Sequence, residues 1–166
     1  MLRLAACVLA ALLLGGCAAI RPPLELRTTQ GPTARDVWML KMVGQLGREP
    51  NFDERRHFDD EMEVRISDYL RAHPEDANLL TVSTFRFYRQ VAVGMNKEQV
   101  LILLGPPAAV TTDAGEMEKL ARKFWPELKG NVTETWVYPI GWFLYFTGQR
   151  LADITRYVEG AGGGPD

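Results

Sequence analysis

Cysteine, histidine and serine are scarce in this chain, at two residues each among 166. Two cysteines are too few for a disulfide scaffold. Two histidines and two serines leave little material for a metal site or a Ser/His triad. Charge of either sign is not in excess either. Lys plus Arg is 19 and Asp plus Glu is 21, for a net charge of −2. A nucleic-acid-binding surface would call for a basic stripe, so no nucleic-acid partner is expected. Long apolar runs are missing too. The longest, Leu4 to Leu14, has eleven residues, which as a helix reaches roughly 17 Å against a hydrocarbon core of ~30 Å. What remains is globular composition, 46% hydrophobic and 24% charged, at a length suited to one domain.

The first apolar run follows Arg3 and ends in Leu14-Gly15-Gly16-Cys17. A short run of this kind behind a positive charge is a secretory h-region rather than a durable membrane span. Its exit, a branched apolar residue and two small residues before cysteine, resembles a bacterial lipobox. The resemblance implies a diacylglyceryl thioether on Cys17, cleavage before it and acylation of the new N-terminus. Several acyl chains hold a soluble domain on a membrane at ~0.8 kcal/mol per buried CH₂. The alternative is an ordinary secretory signal cut after Ala18 or Ala19. Cys7 leaves with the signal in either reading. The residue after Cys17 is Ala18 rather than Asp. By resemblance to lipoproteins of Gram-negative bacteria, this implies a periplasmic-facing anchor in the outer membrane.

Five regions are expected. Residues 1–16 are the signal and 17–35 a lipidated tether, marked by Pro22, Pro23, Gly31 and Pro32. Residues 36–90 read as a helical N-terminal extension, 91–159 as an α+β domain and 160–166 as a disordered Gly-rich tail. Within the extension, Asp36 to Leu46 suits a short helix. Phe58, Met62, Ile66, Tyr69 and Leu70 give a second helix, from about Asp53 to Ala72, that stops before Pro74. Leu79 to Val93 has strand-type residues at helical spacing, and its length favours helix.

The sharpest local signal runs from Gly94 to Pro107. Asn96 and Gln99 suit a reciprocal capping box, and Met95 and Val100 the hydrophobic staple around it. Val100, Leu101, Leu103 and Leu104 anchor the helix, Gly105 ends it, and Pro106 and Pro107 block continuation. Beyond it come a short strand, Ala109 to Thr112, and an inserted helix from Asp113 to Lys129. Thr133 to Tyr138, Trp142 to Thr147 and Arg150 to Val158 then read as an antiparallel meander. Gly148-Gln149 suits its second turn as a type II′ hairpin. Both sides of Trp142 to Phe146 are apolar. Either one side, with Trp142 and Tyr145, is a partner or lipid surface, or helices cover both.

The stretch Gly94-Met95, Gln99-Val100, Leu104-Gly105 and Pro107, followed by Trp136-Val137-Tyr138 and Leu144-Tyr145-Phe146, resembles the SmpA/OmlA, or BamE-like, lipoprotein domain. That resemblance covers roughly the C-terminal half of the mature chain. It implies an α+β fold with helices packed on a small three-stranded antiparallel sheet, here with extra N-terminal helices and one inserted helix. It implies membership of the outer-membrane β-barrel assembly machinery, protein partners within that machinery and an association with anionic phospholipid. The motif residues, Trp136 and Tyr138 included, are expected to be mainly structural.

No catalytic residue, cofactor or metal is expected. The best carboxylate cluster is Asp59, Asp60, Glu61 and Glu63 beside His57, but these radiate around a helix, and His57 with Glu61 or Asp60 is a surface pairing. His73, before Pro74, reads as a helix-end residue. Lys119, Arg122 and Lys123 are the one compact basic group. They could approach anionic headgroups, although a solvated face paired with Glu116 and Glu118 is the plainer reading. A non-enzymatic tethered interaction subunit follows, with a lipid-anchored binding or inhibitor module as the alternative.

Overall fold

Helices begin where the sequence supplies caps. In the computed structural model, which describes residues 23–159 with the Asn78 side chain excepted, helix α1 (Ala34–Leu46) starts at Thr33. The Thr33 hydroxyl accepts from the Asp36 N–H, while the Asp36 carboxylate accepts from the Thr33 N–H. Helix α2 (Phe52–Ala72) is capped in the same way by Asn51 and Glu54. Helix α3 (Lys97–Leu104) has the expected Asn96–Gln99 box. Its staple residues Met95 and Val100 are both fully buried. Gly105 ends α3 at φ 69°, a left-handed φ that costs glycine little.

The general α+β class is observed, but the small three-stranded sheet is not. The main sheet has five strands in the order β1-β7-β6-β5-β4. These are β1 (Leu24–Thr28), β4 (Ala109–Thr111), β5 (Glu134–Tyr138), β6 (Trp142–Thr147) and β7 (Arg150–Val158). A second, two-stranded sheet pairs β2 (Gln30–Thr33) with β3 (Gln90–Ala92) antiparallel. The meander β5–β6–β7 is present as expected. Of the two added strands, β4 is the short strand expected after Pro107, and β1 comes from the segment expected to be tether. Leu24-Glu25-Leu26-Arg27 alternates as a strand does, and the Arg27 guanidinium lies 2.6 Å from the Asp153 carboxylate of β7.

Two helical expectations also change. Leu79 to Val93 is not one helix: a π-helical turn, Thr84–Tyr88, gives way to β3. Thr81, Val82 and Thr84 are stiff β-branched residues, and Arg89 leaves the turn at φ 48°. Its guanidinium is held by Asp59 at 2.9 Å and Glu63 at 3.3 Å on α2. The inserted helix is likewise broken. Helix α4 (Ala114–Ala121), a 3₁₀ turn (Arg122–Phe124) and the one-turn α5 (Trp125–Leu128) replace it. The break falls at Arg122, at φ 53°.

Residues Glu25–Tyr157 form one compact unit. Alternation along the meander sends Trp136, Tyr138, Leu144, Phe146 and Ile154 to one face. There they share a core with Val37, Met62, Ile66 and Leu103 of α1–α3. Phe143 and Tyr145 point to the other face and pack with Met117, Ala121, Trp125 and Leu128. Strand β6 is therefore apolar on both sides because it is buried on both sides. Residues on either side of position 90 contribute to the first core.

Candidate interaction site

The motif from Gly94 to Pro107 folds into a knot that ties α3 to both ends of the meander. At the N-terminal end, the Gly94 N–H donates to the Leu151 carbonyl at 2.8 Å, and the Lys97 N–H to the Gln149 carbonyl at 3.1 Å. Buried Asp76, from the turn Pro74–Asn78, accepts from the Tyr69 hydroxyl and from the Gln99 and Asn96 amides. Burial and the neighbouring Asp76 push the Tyr69 hydroxyl up to about 12. At the C-terminal end, the Tyr138 hydroxyl donates to the Gly105 carbonyl at 2.8 Å. Trp136, Tyr138 and Leu104 are buried and Pro107 is half-buried. Met95, Val100, Leu104, Trp136 and Tyr138 share one core, and Gln99 and Gly105 cap α3.

Tyr145 is not a partner surface. It is 0% exposed, covered by the inserted segment, and its hydroxyl shares a hydrogen bond with Thr155 at 3.0 Å. Burial, with the Asp153 charge adding to it, pushes that hydroxyl well above its ordinary pKa. Trp142 is half-buried, with the Arg156 guanidinium 4.8 Å over its ring. Cys17 lies outside the described residues, as do the signal and tail regions and the start of the tether.

The basic group finds a different partner from the one expected. Lys123 and Arg122 approach Glu25 of β1 at 3.6 and 3.9 Å, rather than Glu116 or Glu118. Arg122 also lies 3.6 Å over the Tyr157 ring. Glu116 instead accepts from the Thr111 hydroxyl at 2.5 Å. The carboxylates of α2 are spread along the helix over several pairings, with Arg89 shared by Asp59 and Glu63 and Arg65 meeting Glu61 at 2.9 Å. Asp59 pairs with Arg35 at 2.5 Å and with Arg89, Asp60 with Arg56 at 3.8 Å, and Glu61 with His57 at 3.1 Å. His73 stacks on Tyr69 with ring centroids 4.5 Å apart. Among the described residues no three His, Cys, Asp or Glu side chains gather as a metal site. A cleft of about 300 Å³ lies between Arg35, Phe58, Phe87, Tyr88 and Arg89, with Phe87 and Tyr88 largely exposed.

Sequence reasoning reads Pro139-Ile140-Gly141 as a turn but does not single out the end of the sheet that it forms. Pro139, Ile140 and Gly141 join Tyr138 to Trp142, which pair across the strands. Ile140 is 47% exposed and sits at φ 58°, a genuine outlier for a β-branched residue. Pro106 and Ala108 lie in the exposed chain beside it, and the Ala108 N–H donates to the Val137 carbonyl at 2.9 Å. Val110, the second residue of β4, is 52% exposed. The available signal was the absence of charge. Residues 105–112 and 136–147 contain no Asp, Glu, Lys or Arg. Cations lie around this rim. Arg156 covers Trp142, and Lys41 donates to the Leu104 carbonyl at 2.9 Å. Burial holds the Lys41 ammonium below its usual pKa.

Comparison with family models, with curated proteins and with solved structures finds no match to the chain.

Proposed function

We propose that the chain is a non-enzymatic, lipid-anchored interaction subunit on the periplasmic face of the outer membrane, acting in β-barrel protein assembly. The observation that carries this reading is the ordered motif from Gly94 to Pro107, which resembles the BamE-like domain and lies as one capped helix against the aromatic strands. The lipobox ending at Cys17 supports the anchor independently. The polar clusters also favour binding over catalysis. The Asp76 group closes a helix cap, and the α2 carboxylates are taken up by ion pairs along the helix. Fold alone does not set function, so the assignment rests on the motif together with the anchor.

The test is a mild-detergent pull-down of the tagged, full-length chain. Recovery of the large barrel component and its lipoprotein partners is expected, and recovery of none of them overturns the assignment. The mass of the mature N-terminus checks the anchor, and Cys17→Ala should release the protein from the membrane fraction. The cleft with exposed Phe87 and Tyr88 favours a second reading, a lipid-anchored module that binds or inhibits another periplasmic protein. A stable one-to-one complex with a periplasmic hydrolase would select it.

A further inference from the structure

We propose that the end of the sheet at the 139–141 turn and Trp142 rests in the interfacial layer of the bilayer. The β6–β7 turn then points away from the membrane. The proposal deepens the lipid-anchor reading and takes from it that the N-terminus is held at a membrane.

Chain length sets the first constraint. Glu25 opens the compact unit, and only seven residues, Ala18 to Leu24, separate it from Cys17. Fully extended, they span about 25 Å, so Glu25 stays within that distance of the lipid. Folding of Leu24–Thr28 as a strand is what makes the tether this short.

Contacts then place the rim beside Glu25. Its carboxylate lies 3.6 Å from Lys123 and 3.9 Å from Arg122, and Arg122 covers the Tyr157 ring at 3.6 Å. The Tyr157 N–H donates to the Gly141 carbonyl at 2.9 Å. Glu25 on β1 and Trp142 on β6 are thus separated by β7, or about 10 Å at ordinary strand spacing. The other end of β6 lies a six-residue strand away, about 20 Å farther.

Composition selects the bilayer as the occupant. Ile140 and Val110 are exposed here, stretches 105–112 and 136–147 carry no carboxylate, and the flanking Glu25 and Glu116 are met by Lys123 and the Thr111 hydroxyl. Trp142 is an amphipathic ring of the kind enriched at headgroup level. Arg156 and Lys41 stand beside the apolar residues, where their charges would meet anionic headgroups. The left-handed Ile140 is a costly way to build a turn, and it presents a branched apolar side chain at the tip.

The experiment places an environment-sensitive fluorophore on Ile140→Cys or, separately, on Gln149→Cys. Both are made in the full lipidated chain, reconstituted into phosphatidylcholine–phosphatidylglycerol vesicles. Acylation blocks Cys17, so each protein carries one reactive thiol. A several-fold rise in emission at position 140, with quenching by spin-labelled lipid and neither effect at 149, is expected. Equal behaviour at the two positions, stronger quenching at 149, or shielding of 140 only when a protein partner is added overturns the proposal. A parallel arm uses Cys17→Ala with an N-terminal hexahistidine on nickel-chelating vesicles. If native Cys17 proves unacylated, the anchor reading fails, and this arm still decides the rim.

Discussion

The two hairpin turns of the meander perform the same topological task with opposite chemistry. At Gly148-Gln149 the chain turns in the open, and its polar groups are met. The Gly148 N–H reaches the Thr133 hydroxyl at 3.1 Å, the Gln149 carbonyl accepts from Lys97, and Arg150 reaches the Gly94 carbonyl at 3.0 Å. At Pro139-Ile140-Gly141 the chain turns through two consecutive left-handed residues, at φ 58° and 70°. One of them is β-branched and exposed, and the backbone is pinned under Tyr157. The first turn is what local turn chemistry selects. The second departs from it and is held by its surroundings, which is the pattern expected where a surface serves something other than stability.

The largest expected effect separates the two turns directly. A Cβ added at Gly141 would lie 1.7 Å from the Tyr157 carbonyl oxygen, whereas one added at Gly148 meets nothing within 4 Å. Both positions have positive φ, so each alanine costs roughly 1–2 kcal/mol for conformation alone. Gly141→Ala must also displace the β7 backbone and its hydrogen bond, and a total loss of about 3 kcal/mol or more is expected. Urea unfolding followed by tryptophan fluorescence measures both variants. Equal losses would mean that the 139–141 turn is no more constrained than its counterpart.

Next in size is a gain. Ile140→Asn replaces a strained β-branched residue with one that tolerates the left-handed region, at a site already 47% exposed. Stabilisation by about 1 kcal/mol in solution is expected, with weaker bilayer contact in the vesicle experiment. A loss of stability would show instead that the Ile140 side chain packs productively, and the contrast between the turns would narrow.

Legibility followed locality. The Asn96–Gln99 box, the staple and the Gly105 stop were readable because their partners lie within a few residues. The boxes at Thr33–Asp36 and Asn51–Glu54 carried the same signal and were passed over. The alternation in Leu24-Glu25-Leu26-Arg27 was masked by flanking prolines, and its pairing depends on Asp153, far along the chain. Nothing local foretold the turn at Thr84–Tyr88, where two carboxylates of α2 fix the exit of Arg89. Tyr145 was open on the same ground. A doubly apolar strand is compatible with a partner face or a second layer of helix, and only the packing of Met117, Trp125 and Leu128 decides for the latter. The uncharged runs 105–112 and 136–147 were visible. That they meet at one end of the sheet was not, because it depends on the β4–β5 pairing.

The smallest expected effect concerns the polar end and pH. Glu134 opens β5 beneath the N-terminus of α3, where its carboxylate takes both the Lys97 ammonium and the Trp136 indole N–H. Burial opposes the charged form, but these two donors more than offset it, so the carboxyl titrates below its usual range. The folded state therefore binds this proton less readily than the unfolded chain. The stabilisation is present above the unfolded value, near ~4.3, and is lost as pH falls through the folded one. Glu134→Gln keeps an acceptor for Trp136 and removes the charge that Lys97 meets. A loss of less than about 1 kcal/mol at neutral pH is expected, with a shallower fall in stability on acidification. The gain from Ile140→Asn should be the same at both pH values, because neither side chain titrates and residues 136–147 contain no Asp, Glu, Lys or Arg. Urea midpoints at neutral pH and near pH 4 would sharpen the contrast into one between an electrostatically tied end and an apolar one. A pH-dependent effect of Ile140→Asn would break it.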